Sequence, residues 1–199
     1  MLKNNYENTY FLSSMAHIKK QNNSDVSEVL FVGYSNSGKS SAINVLTNKK
    51  KLARISKTPG RTNLINFFSV TKKCYLVDMP GYGYSKTSKV LKLQWEKIII
   101  KYLKMNKSLK GLVLFMDIRH PMKPFDKNMI IISKKFNIPI LVLLTKSDKI
   151  IFESQRQKLK MVSEKLSLFL LTSLNVCLFS SFKKIGVDVL RKQLDDWYS

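Results

Sequence analysis

A chain of 199 residues with 44% apolar side chains can bury roughly 70% of its unfolded surface as one domain, so neither disulfides nor structural metals are needed to hold it. Two cysteines, Cys74 and Cys177, are too few for a disulfide framework or a zinc knuckle and read as small core residues of a cytoplasmic protein. The 35 basic and 13 acidic side chains leave a net charge of +22, which attracts polyanions, RNA first among them; 30 Lys against 5 Arg, beside abundant Asn and Ile, is also what A/T-rich coding bias produces.

Residues 1–24 form a basic leader expected to pack on a single domain spanning residues 25–199. The start of the chain has no apolar signal core, and the longest apolar candidate, residues 166–179, is interrupted by Ser167, Thr172, Ser173 and Asn175. Secretion and membrane insertion are both disfavoured. Residues 29–32, 74–77, 112–116, 140–144 and 176–179 are short, nearly continuous apolar runs, the pattern of strands covered on both faces. Residues 65–70 add a further strand, expected at the sheet's edge. Helical-length segments lie between them at 39–47, 89–105, 125–136, 154–168 and 187–197. This alternation predicts a three-layer α/β fold, its sheet mostly parallel with an antiparallel edge strand and helices on both faces. Such sheets bind ligands beyond the carboxyl ends of their strands.

The first of those ends carries Gly33-Tyr34-Ser35-Asn36-Ser37-Gly38-Lys39-Ser40, a G-x-x-x-x-G-K-[ST] pattern between a strand and a helix. Its amides are expected to cradle phosphates, aided by the positive end of the following helix. Lys39 would reach the β- and γ-phosphates, and the Ser40 hydroxyl would ligate Mg²⁺. Asp78-Met79-Pro80-Gly81 follows another strand, where the acid can hold the metal's water shell and the Gly81 N–H can meet the γ-phosphate. Thr145-Lys146-Ser147-Asp148 ends the strongest apolar run. A carboxylate accepts from both the ring N1–H and the exocyclic amine of guanine, so Asp148 selects that base, with the Lys146 stem lying over its plane. Phe179-Ser180-Ser181 is placed to close the base pocket with backbone N–H groups. Lys57-Thr58-Pro59-Gly60-Arg61-Thr62 reads as a loop able to order around a ligand, and either threonine can complete the magnesium shell.

In this order the motifs resemble a translational-type small GTPase with the P-loop NTPase fold. Together with Ser41, Tyr82-Gly83-Tyr84 and Met116-Asp117-Ile118-Arg119-His120-Pro121, they resemble the bacterial EngB family over nearly the whole chain. The resemblance implies GTP and GDP binding, Mg²⁺-dependent hydrolysis, assistance to large ribosomal subunit assembly through ribosomal RNA, a role in normal septation, and a monomer. It makes Thr62 the second magnesium ligand beside Ser40, places Gly60, Arg61, Thr62, Asn63 and Leu64 in the nucleotide-contacting switch, and gives Lys39, Thr62 and Gly81 the catalytic roles. Tyr34 departs from the arginine common there; a side chain at that position can point to solvent, so the departure bears on local charge alone.

Tyr82 stands where Ras-like proteins carry the glutamine that orients the attacking water, so slow turnover is expected of the isolated protein. Asn36 occupies a position that in related GTPases helps to hold potassium, which implies potassium-stimulated hydrolysis. A nucleotide-gated adaptor at the division septum, without ribosome contact, and a small-molecule phosphotransferase are the competing readings. His120 is expected to pack within its loop, His17 to lie in the basic leader, Trp95 and Trp197 to pack in core or rim, and Asp195 and Asp196 to be solvated.

Overall fold

Val29 and Phe31 point to one side of a strand and Leu30 and Val32 to the other, and all four are inaccessible to solvent. That two-residue alternation, apolar on both faces, requires a layer of helices above and below. In a computed structural model, which describes residues 4–15, 25–54, 64–82, 89–169 and 174–199, this strand, β2 (Ser27–Gly33), lies within a seven-stranded sheet. With β1 (Tyr10–Met15), β3 (Ile65–Ser69), β4 (Cys74–Asp78), β5 (Leu109–Asp117), β6 (Ile140–Thr145) and β7 (Leu174–Leu178), the order is β1-β3-β4-β2-β5-β6-β7.

β2 pairs in parallel with β4 and β5, β5 with β6, and β6 with β7; β3 alone runs against its neighbours. Antiparallel pairing at one edge is therefore present, but the edge strand is β1 rather than residues 65–70, which hold second place. β1 breaks the expected pattern because Tyr10, Phe11 and Leu12 remain about half exposed, so it carries no buried apolar run to read.

Helix α1 (Lys39–Leu46) packs Ala42, Ile43 and Leu46 on one face of the sheet with Val187, Leu190 and Leu194 of α5 (Val187–Tyr198). The opposite face is covered by α2 (Lys89–Met105), α3 (Pro124–Lys135) and α4 (Phe152–Ser167) through Trp95, Ile99, Phe125, Met129 and Val162, among others. None of these helices is long and apolar enough to cross a membrane.

The amino-terminal segment is fastened by a buried polar contact. The Tyr6 hydroxyl donates to Asp195 Oδ1 at 2.9 Å and the Asn4 amide donates to the same oxygen at 2.7 Å. Asp195 is thus buried under the first residues rather than solvated, whereas Asp196 is exposed as expected. Trp95 lies in the core, its indole N–H donating to Pro80 O at 2.8 Å, and Trp197 packs at the rim of the α1/α5 layer. Cys74 is a buried thiol and Cys177 a half-buried one.

Candidate functional site

The carboxyl ends of β2, β4, β5 and β6 are brought together by the parallel register, in which Phe31 pairs with Asp78, Gly33 with Phe115, and Asp117 with Thr145. The phosphate loop leaves β2 there and enters α1 through Gly38, whose φ of 102° is a conformation that side chains rarely adopt. Lys39 is buried and donates to Gly33 O at 3.2 Å and Tyr34 O at 3.3 Å, so its ammonium is strapped across the loop it follows. Burial pulls its pKa down, and the neighbouring Asp78 carboxylate partly restores it. Asp78 is buried as well; desolvation pushes its carboxyl up to about 6, against the pull of Lys39, and its Oδ1 has no hydrogen-bond partner.

The D-x-P-G segment closes on this loop. Ser35 N donates to Tyr82 O at 2.7 Å and Tyr82 N to Gly33 O at 3.1 Å. Gly81 is required at the contact, since a Cβ there would lie 2.8 Å from Ser35 Cα. The T-K-x-D segment is tied to the same loop from the other side: the buried Thr145 hydroxyl lies 2.6 Å from Ser37 O and 3.1 Å from Met116 O. The phosphate-loop motif and the T-K-x-D segment are consequently one mechanical unit.

Asp148 is held by Ser180, whose hydroxyl donates to Oδ1 at 2.5 Å, while Lys149 stands 3.6 Å from Oδ2. The Ser180 hydrogen bond is the largest influence holding the Asp148 carboxyl below its ordinary range. The segment after β7 is therefore beside the acid as expected, but its donors are partly committed. Phe179 N donates to Leu144 O at 2.9 Å and Ser180 N to Ile185 O at 3.0 Å, so a backbone N–H offered at this position falls to Ser181. Of the switch, Leu64 is described and half-buried; Gly60, Arg61, Thr62 and Asn63, with Thr58, lie outside the described residues.

A glycine-bounded loop holding a buried lysine, a buried carboxylate beside it and the Asp148 carboxylate in the turn after β6 lie together at the carboxyl end of the sheet. Residues 28–146 match the family model described as 50S ribosome-binding GTPase. The chain is 52% identical over 194 residues to the probable GTP-binding protein EngB of Buchnera aphidicola subsp. Schizaphis graminum, spanning 98% of this chain and 96% of the relative. This chain belongs to the EngB family of GTP-binding proteins. The EngB of Haemophilus influenzae strain KW20 is 46% identical over 198 residues, 100% of this chain and 96% of that one. A crystal structure of a probable EngB superposes with a TM-score of 0.68 at 24% identity, covering 86% of this chain and 98% of its own. Era in complex with MgGDPNP and nucleotides 1506–1542 of 16S ribosomal RNA superposes at 0.66 and 23%, over 88% of this chain and 57% of Era, a likeness of fold.

Within this EngB-family site, four residues carry more than their motifs reveal. Asp117 Oδ2 accepts from the Lys146 ammonium at 3.0 Å and from Arg119 Nη2 at 2.7 Å, while Oδ1 accepts from Arg119 Nε at 2.9 Å. Partial burial pushes the Asp117 carboxyl up, but these donors outweigh it and hold it well below the usual carboxylate range. The sequence signal was the position of Asp117 at a strand end, two residues before an arginine. Tyr34 is half-buried. Its ring lies edge-on to Tyr82 at 5.4 Å and Phe125 at 5.5 Å, its hydroxyl accepts from Phe125 N at 3.3 Å, and the Lys123 ammonium stands 4.8 Å above it. Tyr82 stacks on Phe125 at 3.9 Å and meets Trp95 edge-on at 5.3 Å, so its phenol is turned into an aromatic cluster. His120 is exposed rather than packed, on a turn where its N–H donates to Asp117 O at 2.9 Å.

Proposed function

We propose that this EngB-family protein is a Mg²⁺-dependent GTPase switch of the cytoplasm that acts as a monomer on the assembling large ribosomal subunit, associating in the GTP form and leaving after hydrolysis. The observation that carries the nucleotide part is the Thr145–Ser37 contact, which locks the guanine-reading acid to the phosphate loop. The ribosomal part is supported by the +22 charge, by the family description as 50S ribosome-binding, and by Era, a protein of the same fold, held on ribosomal RNA. A role in normal cell division and septation accompanies this reading. A nucleotide-gated adaptor acting at the septum predicts instead no association with ribosomal particles.

The unpartnered Asp78 Oδ1 beside Lys39 fits a hydrated divalent cation. Ser40 and Thr62 would be its direct ligands, with Asp78 holding water of its shell. When bound, magnesium neutralises charge on the β- and γ-phosphates. The rest falls to the chain: Lys39 and the loop amides bind the phosphates, Gly81 offers its N–H to the γ-phosphate, and Asp148 with Lys146 orients the base. With the Tyr82 phenol stacked on Phe125, no side chain at that position orients the attacking water, which supports slow turnover without an activator. The exposed Asn36, at φ 62°, is the residue that would help to admit potassium in that role.

Calorimetry with GDP and GTP tests the first step; no heat with Mg²⁺ present refutes it. Salt-sensitive co-sedimentation with large ribosomal particles, stronger with a non-hydrolysable GTP analogue, is expected, and its absence favours the septal adaptor. Hydrolysis at equal rates in potassium and sodium buffers, with ribosomal particles or without, removes the potassium step.

A further inference from the structure

Three large apolar side chains stand in water on two adjoining segments, the start of α4 and the loop after β7: Ile151 is 74%, Phe152 68% and Phe182 79% exposed. The two segments belong to one surface. Ser147 N donates to Phe179 O at 3.1 Å, the Ser180 hydroxyl to Asp148, and Lys183 N to Ser180 Oγ at 3.1 Å. Gln155, in the first turn of α4, donates to Ser147 O and Ile150 O, which fixes the start of that helix to the same rim. Water contact with such side chains is unfavourable, and exposed apolar groups on a surface rimmed by polar residues mark partner surfaces.

Charge specifies the partner. Residues 146–156 and 179–186 carry five cations against two acids. The Arg156 guanidinium lies 6.0 Å from the Phe152 ring centre and the Lys183 ammonium 5.5 Å from that of Phe182. Exposed aromatic rings paired with cations are the recognition chemistry of unpaired nucleic acid, whose bases stack on the rings while its phosphates meet the cations. An acidic protein would use the cations and leave the rings idle; a membrane would need a longer apolar face.

We propose that this rim, centred on Phe152 and Phe182 and flanked by Lys149, Arg156, Lys183 and Lys184, is the surface on which the protein docks unpaired RNA. The inference rests on the ribosomal reading above and assigns that reading a place. Because the same loops hold Asp148 and Ser180, the docked strand lies at the edge of the nucleotide site.

The test uses the full chain with Mg²⁺ and GDP and a fluorescent single-stranded RNA oligonucleotide, with anisotropy read across a salt series. Replacing both rings, Phe152→Ala with Phe182→Ala, is expected to weaken binding about tenfold per ring with the salt slope retained. Arg156→Gln with Lys183→Gln is expected to flatten the slope by about 0.7 for each cation removed. GDP affinity, read separately, stays at the wild-type value and reports an intact fold. RNA binding by the ring variant equal to wild type overturns the rim and leaves the ribosomal reading standing. No salt-dependent RNA binding by the wild type overturns the choice of RNA, and the ribosomal reading falls only if co-sedimentation with large ribosomal particles is absent as well. If the ring variant binds RNA like wild type but loses co-sedimentation with ribosomal particles, the proposal of RNA is likewise overturned and the partner at this rim is a protein.

Discussion

The Lys146 ammonium sits 3.0 Å from Asp117 Oδ2, and the Arg119 guanidinium grips both oxygens of the same carboxylate. Lys146 has a left-handed backbone, φ 59°, at the turn after β6, and its side chain is about one-third exposed. A long, flexible stem in that position would sample many rotamers, and the clamp selects the one that lies back toward β5. Asp117→Ala is expected to release the stem and accelerate GDP dissociation about tenfold, whereas Arg119→Ala gives a smaller effect because Lys146 keeps its partner. Release of a fluorescent GDP analogue measures both; an unchanged rate in Asp117→Ala would show the clamp to be idle.

Asp148 accepts from Ser180 through Oδ1, and the exposed Lys149 ammonium stands at a loose 3.6 Å from Oδ2. Asp148→Asn converts the acceptor pair into a donor and an acceptor, which matches xanthine instead of guanine. The preference between GDP and XDP is expected to shift about a hundredfold toward XDP in competition binding. Retained guanine preference would mean that another group reads the base.

Asp126 caps α3 by accepting Lys123 N at 2.9 Å through Oδ2, yet its Oδ1 is buried without a partner. Burial pushes its carboxyl from the ordinary 3.8 up to about 7, only partly opposed by its contacts with Lys123. A raised folded-state pKa favours the protonated native form, so the stability it contributes is complete below about pH 4 and is lost as pH rises toward about 7. Asp126→Asn keeps an acceptor for Lys123 N and cannot ionise. In urea unfolding the variant is expected to lose less stability than wild type between those limits, and parallel curves would contradict the assignment.

Tyr6 and Asn4 both donate to buried Asp195. Asp195→Ala removes the short acceptor of the Tyr6 hydroxyl, leaving it the longer 3.5 Å contact with Arg191 O, and is expected to cost about 1–3 kcal/mol of stability with GDP affinity intact. Thermal unfolding with and without nucleotide separates the two effects. A drop in GDP affinity would instead connect the amino-terminal segment to the site.

The strand–helix alternation, the phosphate loop and the T-K-x-D acid were legible because each is a local pattern: a period of two or an uninterrupted apolar run, a glycine pair at fixed spacing, an acid at a strand's end. The helices were read to within a few residues for the same reason, since their lengths and turns follow from neighbours along the chain. Nothing local marked Tyr10–Met15 as the edge strand, because its side chains remain exposed and only its pairing with Ile65–Ser69 makes it a strand.

Asp195 looked like half of a solvated acidic pair, and 189 residues separate it from the phenol that buries it. Tyr34, Tyr82, Trp95 and Phe125 were legible only as scattered aromatics. Packing of α2 and α3 against the phosphate loop makes them a cluster, which engages the rings of both tyrosines. Sequence alone therefore determined the chemistry that each strand end can offer. Which of those groups are spent on one another, as Asp117 is on Lys146 and Ser180 on Asp148, was decided by tertiary structure, because burial and hydrogen bonding depend on distance in space and not on order along the chain.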